Sequence, residues 1–206
     1  MIRWVFFDLA GVLFEEDWAQ IVRVLSRNMG VPLDRVGEVY YKDLKDRVRS
    51  WNQGRCSALE FWKPVFHLRK DASFAMKKKW VQQAIETFVP IPGAVQVLKQ
   101  LKKRVNLGVI SNQPIELIRH MNQYKAVMNR FDIKIISCYL GLIKRFGDTR
   151  IFKLALMRAK AKPEECIYID DRAVHVETAQ KLGMKGIIFE SPQQLKKELR
   201  ALGVRF

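Results

Sequence analysis

The sequence contains polar residues that directly follow short apolar runs and that could together bind a charged ligand. Five residues of this kind are Asp8, Ser111, Asn112, Asp170 and Asp171. They follow the runs 4–7, 105–110 and 166–169, whose length is typical of strands covered on both faces of a parallel sheet. Ligands bind beyond the carboxyl ends of such strands. We therefore expect these side chains to meet at one edge of a sheet.

The carboxylates among them predict a magnesium site. Clustered carboxylates repel one another, and a hard cation with oxygen ligands relieves the repulsion. Ser111 and the backbone N–H groups of a helix start suit phosphate oxygens, and Lys144, three residues past Gly141, can reach the same edge and neutralise charge. Asp8 is then placed to attack phosphorus and form an aspartyl-phosphate that water hydrolyses. Each residue alone fits an ordinary turn, cap or surface role, but their coincidence at several strand ends favours the functional interpretation.

The spacing of apolar residues divides the chain into two blocks that must position this site. Residues 15–88 show helical periodicity throughout, including one helix over 36–48, and Ser57 and Glu60 have the spacing of a capping box. From residue 89 onward helix and strand alternate, which predicts a doubly wound parallel α/β sheet. The sequence thus predicts an α/β core formed by 1–14 and 89–206, with 15–88 inserted as a helical cap.

The composition describes a globular and strongly basic chain. Of 206 residues, 49% are hydrophobic, and the net charge is +16, most of it within 89–206. Such a surface can attract nucleic acid or phosphorylated small molecules. Because basic runs are not interleaved with aromatic residues, solvated helix faces explain most of the charge, and nucleic-acid binding is possible but not favoured.

Cysteine and histidine positions indicate neither a disulfide framework nor a zinc site. The three cysteines are widely spaced, and His67, His120 and His175 show no ligand spacing, so we predict surface or core roles for the histidines. The first 17 residues do not fit a secretory signal, and apolar runs are too short to span a membrane. We expect a cytoplasmic protein without a membrane partner; the oligomeric state is not predicted.

Four segments resemble the motifs of the haloacid dehalogenase-like (HAD) hydrolase superfamily. They are FFDLAGVLF, VISNQ, a lysine after Leu140 and Gly141, and YIDDRAVHVETAQKLGMKGIIF. The last is similar to the branch that includes sugar-phosphate phosphatases and the N-terminal phosphatase domain of soluble epoxide hydrolases. The resemblance implies a magnesium-dependent phosphatase of small phosphorylated metabolites, in which Ser111, Asn112 and Lys144 bind the phosphoryl group. It also implies that Asp8 is the nucleophile and that Asp8, the carbonyl of residue 10, Asp171 and Asp170 hold the metal.

Two features depart from the family pattern. The second aspartate of the first motif, which protonates the leaving group and activates water, is Ala10 here, although its backbone carbonyl is retained. A positioned acid–base group contributes about 10²–10⁴-fold to rate, so activity is reduced unless Glu15, Glu16 or a cap residue substitutes. In addition, Arg145 stands after Lys144, where the family usually has proline.

Two alternatives to the phosphatase remain open at this point. One is a catalytically weak binding or regulatory protein that uses the basic surface for a polyanionic partner, which Ala10 and the charge distribution motivate. The other is a metal-independent 2-haloacid dehalogenase, against which the paired acids Asp170 and Asp171 argue.

Overall fold

The computed structural model of the protein describes residues 1–44 and 47–205. Five strands pair in parallel: β1 (Trp4–Phe7), β2 (Asn106–Ser111), β3 (Ile133–Ile136), β4 (Cys166–Asp170) and β5 (Lys185–Ile188). Their order in the sheet is β3-β2-β1-β4-β5, so the first strand of the chain lies at the centre. This confirms the predicted doubly wound α/β fold.

Helices of the core connect the strands and cover both faces of the sheet. They are α7 (Pro92–Leu101), α8 (Ile115–Met121), α9 (Lys125–Met128), α10 (Ser137–Leu140), α11 (Arg150–Ala159), α12 (Ala173–Gln180) and α13 (Pro192–Ala201), with a short 3₁₀ turn at Pro163–Glu165. The side chains of β1 alternate between two apolar clusters, since Val5 and Phe7 belong to one and Phe6 to the other. Both faces of the central strand are therefore buried, which explains its continuous apolar run.

A helical insert lies between β1 and β2. Its helices are α1 (Trp18–Met29), α2 (Leu33–Val39), α3 (Val48–Asn52), α4 (Ala58–Phe61), α5 (Lys63–Phe66) and α6 (Phe74–Ile85). The predicted capping box at the start of α4 is present, because Ser57 and Glu60 each accept a hydrogen bond from the other's backbone N–H. The paired bonds begin this short helix where the sequence predicted.

The prediction of one continuous helix over 36–48 is wrong. Helix α2 ends at Val39, a π-helical turn covers Tyr40–Leu44, and α3 begins at Val48, while residues 45 and 46 lie outside the described part of the chain. Tyr40 stacks on Trp18 and on Trp62, with ring centroids 5.3 Å and 5.9 Å away. The wider turn places this ring in the apolar interior of the insert, an arrangement that apolar spacing alone does not reveal.

No helix in the described ranges combines the length and the hydropathy that a membrane-spanning segment requires.

Candidate active site

Asp8, Ser111 and Asp170 lie together at the carboxyl edge of the sheet. Asp8 follows the last residue of β1, while Ser111 and Asp170 are the last residues of β2 and β4. The parallel register pairs Phe7 with Val109 on one side and with Ile169 on the other, which brings the residues after them to the same edge. The structure thus brings together polar residues that are up to 162 positions apart in the chain.

Asp8 is almost fully buried and contacts three donors. Its Oδ1 accepts hydrogen bonds from the Ser111 hydroxyl at 2.5 Å and from the backbone N–H of Leu9 at 2.8 Å. Its Oδ2 lies 2.6 Å from the ammonium of Lys144. Burial raises the pKa of Asp8 to about 7, and the charge of Asp170 adds to the rise, although Lys144 and Ser111 oppose it. The carboxylate therefore carries a charge that its surroundings only partly stabilise.

Lys144 is fixed by the side chain of Asn112. The Asn112 amide donates to the carbonyl of Lys144 at 3.1 Å and accepts from its backbone N–H at 2.7 Å. The ammonium is buried between two carboxylates and also lies 2.6 Å from Asp170 Oδ2. Burial alone would lower the pKa of Lys144, but Asp170 and Asp8 together raise it. The loop thus delivers a permanent positive charge to Asp8.

Asp170 is the most heavily bonded carboxylate of the site. Besides Lys144, it accepts hydrogen bonds from the Tyr168 hydroxyl, from the backbone N–H of Arg172 at 2.9 Å and from His175 Nδ1 at 3.1 Å. Burial opposes the charge of Asp170, but Lys144 and His175 overcome this effect and hold its pKa far below the usual range. Both oxygens are therefore engaged within the protein.

His175 is buried, which agrees with the predicted surface or core role of the histidines, but it also contacts Asp170 in the site. It lies in the first turn of α12, is buried, and lines the cleft described below. Burial lowers the pKa of His175 despite the neighbouring Asp170. The signal that was missed is its position five residues after Asp170, which allows a helix starting at the strand end to turn the ring back onto that carboxylate.

Asp171 differs from Asp170 in having no bonded side chain. Among the described residues, no side chain donates a hydrogen bond to the Asp171 carboxylate, which is half-buried. Burial raises its pKa to about 6, and the charges of Asp170 and Glu16 contribute. The carboxyl packs on the backbone of Gly11, where a Cβ would lie 2.6 Å from Asp171 Cγ. Only glycine leaves room for this approach.

The carbonyl of Ala10 is a further oxygen without a partner. Ala10 is 2% exposed, and no hydrogen-bond donor of the described residues reaches its carbonyl. The neighbouring amides are used, since Gly11 N–H donates to Phe14 and Phe14 N–H donates to Leu9. A buried carbonyl that lacks a donor is uncommon in folded proteins.

Two sets of donors near Asp8 offer ligands for a cation. The ligand atoms of Asp8, Asp170 and His175 lie within 4.8 Å of one another. In this set, however, the Lys144 ammonium already contacts both carboxylates. The second set comprises Asp8, the Ala10 carbonyl and Asp171, which packs on Gly11, the residue after Ala10. Among the described residues, no side chain donates a hydrogen bond to the Ala10 carbonyl or to Asp171. Oxygen ligands of this kind suit Mg²⁺.

A cleft of about 350 Å³ opens over Asp8 between the sheet edge and the helical insert. Its carboxylates are those of Asp8, Glu16 and Asp171, and Lys144 and Arg172 add positive charge. The insert contributes Trp18, Tyr40, Val48, Trp51 and Asn52 to its wall. The cleft therefore combines a charged floor with a partly aromatic wall and has room for a small polar molecule.

The insert is bonded to the core beside this cleft. Glu116, in the first turn of α8, accepts hydrogen bonds from Trp51 Nε1 at 3.0 Å and from the backbone N–H of Ala58 at 2.8 Å. Nearby, the Ser137 hydroxyl donates to the carbonyl of Asn52 at 2.5 Å. These bonds hold the wall residues Trp51 and Asn52 at a fixed position relative to the sheet edge.

The family profile of the haloacid dehalogenase-like hydrolases matches residues 2–183. The chain therefore belongs to the haloacid dehalogenase-like hydrolase family.

Among curated proteins, the chain is 34% identical over 224 residues to bifunctional epoxide hydrolase 2 of Rattus norvegicus, covering 100% of this chain and 40% of that protein. It is 38% identical over 116 residues to acyl-CoA dehydrogenase family member 10 of Mus musculus. This alignment covers 54% of this chain and 10% of the mouse protein. Both relatives are thus much longer than this chain. Glyceraldehyde 3-phosphate phosphatase of Pyrococcus furiosus is 25% identical over 92% of this chain and 81% of its own length.

Solved structures of two kinds share the fold. A HAD-family enzyme of Bacteroides thetaiotaomicron, in complex with magnesium and inorganic phosphate, has a TM-score of 0.76 at 18% identity over 92% of this chain and 95% of its own. The L-2-haloacid dehalogenase of Xanthobacter autotrophicus has a TM-score of 0.66 at 17% identity, over 98% of this chain and 83% of its own. Because both kinds share the fold, the residues of the site must distinguish their chemistries.

Proposed function

We propose that this protein is a Mg²⁺-dependent phosphatase that hydrolyses small phosphate monoesters through an aspartyl-phosphate on Asp8. The observation that carries the proposal is that two oxygen groups near Asp8, the Ala10 carbonyl and the Asp171 carboxylate, accept no hydrogen bond from any side chain of the described residues. Together with Asp8 they form an oxygen donor set next to a cleft lined by Lys144. The glyceraldehyde 3-phosphate phosphatase to which the chain is similar supports the same reaction class.

In the proposed reaction, an oxygen of the Asp8 carboxylate attacks phosphorus as the bond to the leaving ester oxygen breaks. The Lys144 ammonium and the Ser111 hydroxyl, both now bonded to Asp8, orient the carboxylate and bind the phosphoryl oxygens. Water then attacks the acyl phosphate, which releases inorganic phosphate and restores Asp8. Asn112 acts mainly by fixing the backbone of Lys144.

Asp8, Ala10 and Asp171 would hold the magnesium ion. The bound ion would supply positive charge that draws the phosphate group to Asp8 and offsets the repulsion between its oxygens and the carboxylates. Asp170, which the sequence also suggested as a ligand, serves instead to hold Lys144, because its oxygens already accept bonds from four donors. Residues 15–88 would act as the cap that selects the substrate.

Phosphate release from 4-nitrophenyl phosphate and from a panel of sugar phosphates tests the proposal. We expect turnover with MgCl₂, loss of turnover in EDTA with recovery on adding Mg²⁺, and loss of at least about 10³-fold for Asp8→Asn. Asp34→Asn, an exposed aspartate on α2, is the matched control. Release that survives both EDTA and Asp8→Asn would contradict the proposal, and chloride release from 2-chloropropionate in EDTA would indicate the dehalogenase reaction instead.

A further inference from the structure

The first motif lacks the side chain that would transfer protons in the proposed phosphatase reaction. Ala10 carries a methyl group, is 2% exposed, and is absent from the residues that line the cleft. The leaving oxygen still needs a proton when the ester bond breaks, and the attacking water must lose one. Another group that faces the cleft must therefore transfer these protons.

The titratable residues of the described cleft wall leave one candidate. They are Asp8, Glu16, Tyr40, Lys144, Asp171, Arg172 and His175. Three of them already have a role in the proposed reaction: Asp8 as the nucleophile, Lys144 as its charge partner and Asp171 as a metal ligand. Burial raises the pKa of Tyr40 far above its usual value, and an arginine does not titrate near neutral pH. Burial also lowers the pKa of His175, whose Nδ1 is bonded to Asp170, so this ring is not a proton donor near neutral pH. Glu16 remains.

The Glu16 side chain is held in place at one oxygen and available at the other. Trp18 Nε1 donates to Oε1 at 3.0 Å, and the indole is itself fixed by stacking on Tyr40. Among the described residues, Oε2 accepts no hydrogen bond. The backbone on either side is also held, since Glu15 N–H donates to Val89 at 2.8 Å and Asp17 caps α1. Glu16 is thus positioned before any ligand binds.

The charges that face Glu16 come from three sides of the cleft. Asp8 and Asp171 are acidic, Lys144 and Arg172 are basic, and Tyr40 lies on the insert. Desolvation in the cleft and the charge of Asp8 raise the pKa of Glu16, although its side chain remains exposed. A carboxyl that keeps its proton closer to neutral pH is suited to donate it.

We propose that Glu16 is the general acid and base of the phosphatase reaction, replacing the acid that Ala10 lacks; this rests on the proposed function. As the bond between Asp8 and phosphorus forms and the ester bond breaks, the Glu16 carboxyl gives its proton to the leaving oxygen. The resulting Glu16 carboxylate then takes a proton from the water that attacks the aspartyl-phosphate. Phosphate leaves, and both residues return to their starting states.

Glu16→Gln tests this role, because glutamine keeps the acceptor for Trp18 and removes only the proton transfer. The steady-state rate on an alkyl phosphate, which has a poor leaving group, is expected to fall by about 10²–10⁴-fold. The burst of 4-nitrophenolate, a leaving group that needs no protonation, should persist within about 10-fold. The rate of Glu16→Gln should also depend more steeply than that of wild type on the pKa of the leaving alcohol. The part of the pH–rate profile that reflects titration of Glu16 should be absent from the variant.

Glu15→Gln is the matched control, since Glu15 is adjacent and exposed but does not line the cleft. If wild type turns over and Glu16→Gln behaves like Glu15→Gln, the role of Glu16 is wrong while the phosphatase stands. Equal loss of burst and steady state would also overturn it, because Glu16 would then only position other groups. If the wild-type protein releases no phosphate from any ester, both the role of Glu16 and the proposed phosphatase activity are wrong. If Glu16→Gln does not fold, the leaving-group dependence of Glu16→Asp against wild type decides the same question.

Discussion

The ammonium of Lys144 lies 2.6 Å from Oδ2 of Asp8 and equally close to Oδ2 of Asp170. The pKa values of the two carboxylates are nevertheless shifted in opposite directions, because that of Asp8 is raised to about 7 while that of Asp170 is lowered far below its usual range. Asp170 has three further donors, whereas Asp8 has the Ser111 hydroxyl and the Leu9 amide. One lysine thus pairs with two carboxylates whose pKa values are shifted in opposite directions.

The first prediction concerns stability at these two positions. Asp170→Asn should lower the free energy of unfolding by about 3–5 kcal/mol, because it removes a buried charge that Lys144 requires. Asp8→Asn should not lower it, because Lys144 keeps Asp170 and a carboxylate with a raised pKa is removed. Urea unfolding in EDTA at pH 8 measures both, and an equal loss in the two variants would contradict the asymmetry.

The second prediction is a pH dependence of the metal-free protein. The folded-state pKa of Asp8, about 7, exceeds the ordinary value of 3.8, so the unfolded chain releases this proton first as pH rises. The free energy of unfolding should therefore fall between pH 5 and pH 8, by about 2 kcal/mol for this group. Asp8→Asn should lack that component. Urea unfolding of both proteins in EDTA checks it, and parallel curves for wild type and variant would show that Asp8 does not titrate in this range.

Much of this site could be predicted from the sequence because strand ends in a parallel sheet share one edge. Asp8, Ser111 and Asp170 are fixed by backbone topology, and an apolar run followed by a polar residue reveals each of them. The different contacts of the Asp170 and Asp171 carboxylates could not be predicted. They depend on which of the two side chains faces Lys144 and which faces Gly11.

The positions of residues on irregular or helical segments are harder to predict than those at strand ends. His175 reaches Asp170 only through the turn that starts α12, and Tyr40 is placed by a π-helical turn. The broken helix after Val39 shows the same limit, because apolar spacing records which residues are buried and not whether the helix continues.

The third prediction concerns Gly11, which has a φ of +76° and lies against Asp171. Gly11→Ala should weaken Mg²⁺ binding by at least about 10-fold, because the new Cβ displaces a carboxylate of the proposed metal set. Gly203→Ala is the strain-matched control, since its φ is +83° and no atom of the described residues lies within 4 Å of the added Cβ. Isothermal titration with MgCl₂ measures the affinity, and equal affinities in the two variants would remove Asp171 from the metal site.

The fourth prediction concerns the bond between the insert and the core. Glu116→Ala leaves Trp51 Nε1 and the Ala58 amide without their acceptor, so the free energy of unfolding should fall by about 1–3 kcal/mol. Trp51 lines the cleft while Glu116 does not, so the variant should raise the KM for 4-nitrophenyl phosphate more than it lowers kcat.

Glu60→Ala is the control for the change in KM. Glu60 completes the capping box of α4, the short helix whose Ala58 donates to Glu116, but it accepts no bond from Trp51. A double-mutant cycle with Trp51→Phe isolates the pair, since phenylalanine removes the indole donor and keeps an aromatic ring against Phe61. A coupling energy of about 1 kcal/mol is expected between Glu116 and Trp51. A coupling near zero, with KM unchanged in Glu116→Ala, would mean that stacking within the insert, and not this bond, positions the wall of the cleft.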